Sequence, residues 1–129
     1  DAIVYSAPAP SQWAAIHALE LRDQVQPRLK AEFEKRCSYA YERINACPFL
    51  SAMKPQGSIY LFVDVRKTHC SSKQFCQKLL EKAQILVLPG DDSGQSGEGF
   101  VRFAMTLGLD KMKEAFDRID RLSIEDFMV

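Results

Sequence analysis

Arg102 stands inside an apolar run, Phe100-Val101-Arg102-Phe103-Ala104-Met105. The run reads as a β-strand, and alternate strand side chains share a face, so Arg102 lies beside Phe100 and Ala104. A guanidinium there must find an anion or reach water, because burying it unpaired is costly. Two arrangements satisfy it. In one, Arg102 sits at a sheet rim and pairs with an acid of its own chain, such as Glu98. In the other, its planar fork holds the carboxylate of a bound molecule through two parallel hydrogen bonds.

The remaining residues with reactive side chains make weaker patterns. Gly90-Asp91-Asp92-Ser93-Gly94-Gln95-Ser96-Gly97-Glu98-Gly99 has no G-K-[ST] ending, which excludes a P-loop. Its acids do not follow EF-hand spacing. It reads as a flexible substrate-side loop rather than a metal site. His69, Cys70 and Cys76 lack a second nearby histidine and zinc-like spacing, so neither a metal centre nor a thiol nucleophile is expected. His17 falls on a helix and reads as structural. Ser72-Lys73 superficially resembles a Schiff-base lysine, yet Lys73 falls in the first turn of a solvent-facing helix, where nothing lowers its pKa. Trp13, Phe33, Tyr39 and Tyr41 recur at helical spacing, as core or interface aromatics do.

Composition removes several function classes. Seventeen basic residues balance seventeen acidic ones. That balance supports neither nucleic-acid binding nor a polybasic membrane contact. No apolar run is long enough to cross a bilayer. Four cysteines without a C-x-x-C pair suggest reduced thiols in a cytoplasmic protein. The start, Asp1-Ala2-Ile3-Val4-Tyr5, has no initiator Met and no basic leader, which reads as a chain cut or processed from something longer.

The elements that would position Arg102 can be read in order. Ser11 is expected to cap a helix from Gln12 to about Asp23. Pro27 fits the first turn of a second helix whose apolar face carries Leu29, Phe33, Cys37, Ala40 and Ile44. Pro48 and Pro55 bracket a connecting loop. Ile59–Val63 reads as an inner strand because both its faces are apolar. Ser71 and Gln74 form a capping box for a helix that buries Phe75 and Leu79. Ile85–Leu88 and Phe100–Met105 read as two further strands, antiparallel neighbours across the Gly90–Gly99 loop. The strand-helix-strand unit before them favours a parallel crossover. Asp110 is expected to cap a last helix carrying Met112, Ala115, Phe116, Ile119 and Leu122. The fold class is α+β: two helices, then a small β-α-β-β-α sheet with helices on one face. Its other face must be covered by something.

Three segments in register resemble the class I/II, fold-type I, pyridoxal-phosphate aminotransferases. Pro55-Gln56-Gly57-Ser58-Ile59-Tyr60-Leu61-Phe62 is similar to the family's P-x-G-small-x-Y-x-F strand. Leu79-Leu80-Glu81-Lys82-Ala83-Gln84-Ile85-Leu86-Val87-Leu88-Pro89-Gly90 is similar to its L-L-E-x-A helix and V-x-V-x-P-G strand. Glu98-Gly99-Phe100-Val101-Arg102-Phe103-Ala104 is similar to its carboxylate-arginine strand. Ser6 to Leu19 resembles the segment following the family's catalytic lysine. One departure stands out: Ser93-Gly94 occupies the place of the usual Phe-Gly. The resemblance implies a small C-terminal domain at 27–129, with 1–26 as the segment joining it to a large cofactor domain. It implies that Arg102 binds the α-carboxylate of an amino-acid or 2-oxo-acid substrate. It also implies that the cofactor lysine and the groups holding pyridoxal 5'-phosphate precede this chain, so that the chain alone is inactive and the complete enzyme is a cytoplasmic homodimer. The competing expectation is a non-enzymatic ligand-binding or interaction module built on the same β-α-β-β-α core.

Overall fold

A computed structural model describes residues 6–128. The leading Asp1–Tyr5 stretch lies outside the described residues. The chain divides into two compact units, one ending at Glu32 and one beginning at Phe33.

The first unit holds helix α1 (Ala9–Glu20) and the opening turns of α2 (Arg22–Ala46). Helix α1 begins before Ser11, at Ala9, and no side chain caps it. Proline is compatible with the first helical turn, whose N–H groups have no intrahelical partner, so Pro10 starts this helix where Ser11 was expected to. Pro27 is likewise not at a start but inside α2. It removes the hydrogen bond to the Asp23 carbonyl four residues back, and it does so where Asp23 and its neighbours are exposed and water can replace the donor. Trp13, Ile16, Leu19, Leu21, Val25 and Leu29 all remain exposed.

The second unit contains one antiparallel sheet with strand order β1-β2-β4-β3. Strand β1 (Ser51–Ala52) is too short to leave a sequence signature and lies in what reads as a loop. Strand β2 (Tyr60–Asp64) is internal, as its two apolar faces require. β3 (Leu88–Pro89) and β4 (Phe100–Ala104) pair antiparallel. β2 and β3 both run antiparallel to β4 and are therefore parallel to each other, with β4 inserted between them. The crossover through α3 (Ser72–Ala83) thus skips one strand position.

Strand β3 is shorter than the Ile85–Leu88 run suggests. Gln84 ends α3 in the left-handed conformation, φ 55°, and the chain pairs with β4 only from Leu88. Where Ile85–Val87 stands off from β4, a cleft of about 340 Å³ opens, lined by Ile85, Val87, Met105, Met112, Ala115 and Arg118 among others. Helix α4 (Leu109–Ile119) is capped by Gly108, not Asp110, which instead places its carboxylate in the first turn. There a negative charge meets the positive end of the helix dipole without a side-chain cap.

Alternation along the strands fixes the layers. Leu61, Val63, Val101 and Phe103 point to one side and are at most 5% exposed. Cys37, Ala40 and Ile44 of α2, Phe75 and Leu79 of α3, and Met112, Phe116 and Ile119 of α4 complete that core. The C-terminal Phe127 closes it, its ring stacked on Phe75 at 4.8 Å. Lys78 donates to the carbonyls of Phe127 and Met128, which ties the chain's end to α3. Tyr60, Phe62, Leu88 and Arg102 point to the other side, which no helix of this unit covers.

Candidate functional site

The uncovered face of the sheet is where Arg102 lies. β4 is an inner strand, so Arg102 is not a rim residue. It is half-buried, directly opposite Phe62 on β2 and Leu88 on β3. No described residue hydrogen-bonds or ion-pairs with its guanidinium. Its guanidinium carbon lies over the ring of Tyr60, 4.6 Å from the ring centroid.

The expected acid partner, Glu98, is occupied elsewhere. Glu98 Oε1 accepts the N–H of Ser72 at 3.0 Å. The carboxylate therefore sits at the N-terminus of α3, where unpaired amides and the helix dipole favour an anion. The capping box at Ser71 and Gln74 forms as the sequence indicates, with Ser71 Oγ accepting from Gln74 and Gln74 accepting from Ser71.

The Gly90–Gly99 segment is ordered internally rather than loose. It makes two 3-10 turns, Gly90–Ser93 and Gln95–Gly97. The buried Ser72 hydroxyl donates to the Gly97 carbonyl at 3.4 Å and accepts the Gly99 N–H at 2.8 Å. Gly90 and Gly97 pass so closely that a Cβ on either would collide with the other's carbonyl. A Cβ on Gly90 would also strike the Phe62 ring, which places this segment against the open face. Lys73 pairs with Asp91 at 3.2 Å across the start of α3.

A second arginine, Arg66, borders the same face and behaves differently. Its guanidinium meets both carboxylate oxygens of Asp64, the shorter contact being 2.6 Å. It also lies over the Phe100 ring, which stacks on Phe62 at 5.1 Å with the planes 3° apart. Arg66 lowers the Asp64 carboxyl below its ordinary value through these bonds. A third, Arg43, is engaged by Asp117 and Asp120. Arg102 differs from these two in having no acid partner among the described residues.

The other reactive side chains do not assemble. Cys76 is pushed up to about 11 by burial and by the neighbouring charges of Asp91 and Asp92, so it stays a thiol. Cys70 is buried with its Sγ donating to the Phe127 carbonyl. Among the described residues no group of three or more metal-ligating side chains converges. His17 contacts Glu20 on the exposed surface of α1. Arg102 does not line the cleft beside Ile85. The sequence did not reveal Tyr60 as a neighbour of Arg102, because that contact exists only once β2 and β4 pair in this register.

Residues 1–119 match the model of the family "Aminotransferase class I and II". An aromatic-amino-acid aminotransferase of Thermococcus litoralis is 34% identical over 98% of this chain, which corresponds to 33% of that protein. An aspartate aminotransferase of Pyrococcus abyssi is 32% identical over 92% of this chain and 32% of its own length. Among solved structures, the aromatic aminotransferase of Pyrococcus horikoshii superposes with a TM-score of 0.68 at 32% identity, covering 84% of this chain and 26% of that one. A Thermus thermophilus aspartate aminotransferase mutant gives 0.72 at 25% identity, covering 85% and 30%. The chain belongs to the class I and II aminotransferases, of fold type I. It spans about a third of the length of the curated relatives it matches.

Enzymes of this kind use pyridoxal phosphate, and the described residues do not fit it. The group needs a lysine kept free of charge partners in a dry pocket. Here the described lysines are exposed, apart from the half-buried Lys78, whose ammonium is held by two main-chain carbonyls. Lys73 is raised above its usual range by its bond to Asp91, the opposite of what such a lysine requires.

Proposed function

We propose that this chain is the small C-terminal domain of a longer pyridoxal-phosphate aminotransferase, and that Arg102 binds the α-carboxylate shared by its amino-acid and 2-oxo-acid substrates. The observation that carries this reading is a half-buried guanidinium that no described acid pairs with, on an aromatic-rich sheet face that no helix of its own unit covers. Residues 1–26 then form the connection to a large cofactor domain, and 27–129 form the small domain. The large domain packs against the open face and supplies everything that holds the cofactor. Arg102 accepts the substrate carboxylate in its fork and fixes the orientation of the bond that reacts. The complete enzyme is a cytoplasmic homodimer, and this chain alone transfers no amino group.

Two measurements test this. The purified chain, mixed with pyridoxal phosphate, an amino acid and a 2-oxo acid, is expected to show no transfer above the free cofactor's own rate; enzyme-level turnover would contradict it. In the complete enzyme, Arg102→Ala is expected to impair both half-reactions while leaving the cofactor spectrum intact. A folded, cofactor-loaded variant with near-native kcat/KM would make Arg102 structural.

A further inference from the structure

We propose that Tyr60 is a positioning residue for Arg102, holding the guanidinium by its flat face so that the N–H edge stays free for a ligand carboxylate. The proposal rests on Arg102 being the carboxylate-binding residue.

The strand register sets the contact. Tyr60 lies opposite Ala104 and Phe62 lies opposite Arg102, so Tyr60 is the diagonal neighbour of Arg102 on the same face. The guanidinium carbon is 4.6 Å from the ring centroid, inside the range in which an aromatic quadrupole attracts a cation. A guanidinium donates its hydrogen bonds in its own plane, so on this proposal the Tyr60 ring lies against its flat face and takes up none of those donors. The ring therefore localises the side chain without using a donor. Asp64 shows the alternative on the same face: it holds Arg66 by three contacts to Nε and Nη2, which take up one edge of the guanidinium. A long side chain already held flat loses less rotamer freedom when the ligand arrives. The hydroxyl has no part in this, since no described residue hydrogen-bonds the Tyr60 oxygen. The ring face is the working group.

The test uses the complete enzyme loaded with cofactor, whose absorption reports folding and occupancy. The readout is the Kd of a non-reacting carboxylate, 3-phenylpropanoate, together with kcat/KM for an amino acid. Tyr60→Leu should weaken carboxylate binding by about three- to ten-fold, and Tyr60→Phe should restore it. Phenylalanines carrying successive ring fluorines at position 60 keep the shape and drain the π face, so affinity should fall stepwise along the series. In the Arg102→Ala background, Tyr60→Leu should cause no further loss in kcat/KM. A flat fluorination series, or an equal Tyr60→Leu loss with and without Arg102, overturns the proposal. If Arg102→Ala abolishes carboxylate binding while the Tyr60 series is flat, only the positioning role falls. If Arg102→Ala leaves carboxylate binding unchanged, the reading of Arg102 fails and the positioning role falls with it.

Discussion

The two faces of this sheet are built from the same four strands, and alternate residues of one strand meet opposite fates. On β2, Leu61 is 2% exposed and Phe62 is 47% exposed. On β4, Val101 and Phe103 are sealed under α2, α3 and α4, whereas Arg102 between them faces outward. The closed face is purely apolar and densely packed, as a core must be. The open face is aromatic and carries cations: Tyr60 under Arg102, Phe100 under Arg66, Phe62 stacked between the strands. The difference teaches that the first face is committed to holding the domain together and the second is available for contact. The two arginines sharpen the lesson. Arg66 is neutralised by an acid two residues away, and Arg102 is supported by a ring that leaves its charge unanswered.

The largest expected effect separates those two arginines. On the proposed reading, Arg102→Ala in the complete enzyme removes a bidentate charged contact, each bond of such a contact being worth roughly 1.5–3 kcal/mol. The expected loss is about two to four decades in kcat/KM, at about 1.4 kcal/mol per decade. Arg102→Lys should recover only part, because a point charge cannot reproduce the fork. An amine substrate without a carboxylate should be indifferent. Arg66→Ala should change kcat/KM little, because Asp64 of its own chain already pairs with it. Steady-state kinetics on both variants, side by side, would break the comparison if they lost activity equally.

The next effect separates the two faces in the chain's own stability. Leu61→Ala opens a cavity in the closed face and should cost about 2–5 kcal/mol. Its neighbour Phe62→Ala deletes a larger side chain, yet should cost less, because nearly half of that ring is already in water. Urea denaturation of the two variants gives the ordering. A greater loss at Phe62 would mean that the open face stabilises the chain as much as the core does.

Those parts of the architecture that depend on neighbours in sequence were legible before the structure. The capping box of α3 spans four residues, and the burial pattern of β2 and β4 is contained within five each. The oddity of Arg102 was legible too, because it breaks a local pattern. What failed to show depends on long-range pairing. Strand β1 has two residues and exists only against β2. β4 lies between β2 and β3, which no local pattern announces. Glu98 is four residues from Arg102 and was an obvious partner, but a helix N-terminus twenty-six residues away in sequence claims it. The starts of both leading helices moved because proline suits an opening turn but does not mark one: Pro10 sits in the first turn of α1, whereas Pro27 is absorbed within α2 at an exposed position.

Ser72 joins the closed core to the segment bordering the open face, and a change there should have an intermediate effect. Its hydroxyl answers the Gly99 N–H and the Gly97 carbonyl, both in buried residues. Ser72→Ala leaves them without that partner, which should cost about 1–3 kcal/mol. Hydrogen exchange should show the loss concentrated at the Gly99 amide. Unchanged protection of that amide would mean that the Gly90–Gly99 turns hold their place without Ser72.

The smallest effect concerns pH and the acid that distinguishes the two arginines. The hydrogen bonds from Arg66 lower the Asp64 pKa beneath its ordinary value in the folded chain. A carboxyl with a lowered folded pKa binds fewer protons when folded than when unfolded. Its contribution to stability is therefore complete above the ordinary carboxylate range and is lost as pH falls through the lowered folded value. Asp64→Asn abolishes that titration, so the variant's stability should fall less steeply over the same acid range. The change should be small, because Arg66 is largely in water and exposed ion pairs contribute little. Urea midpoints of the two proteins from neutral pH down through the carboxylate range provide the measurement. Parallel acid limbs would mean that Asp64 is not selectively bonded to Arg66. The contrast between a neutralised Arg66 and a free Arg102 would then rest on position alone, and Arg66 would have to be counted as a second cation open to a ligand.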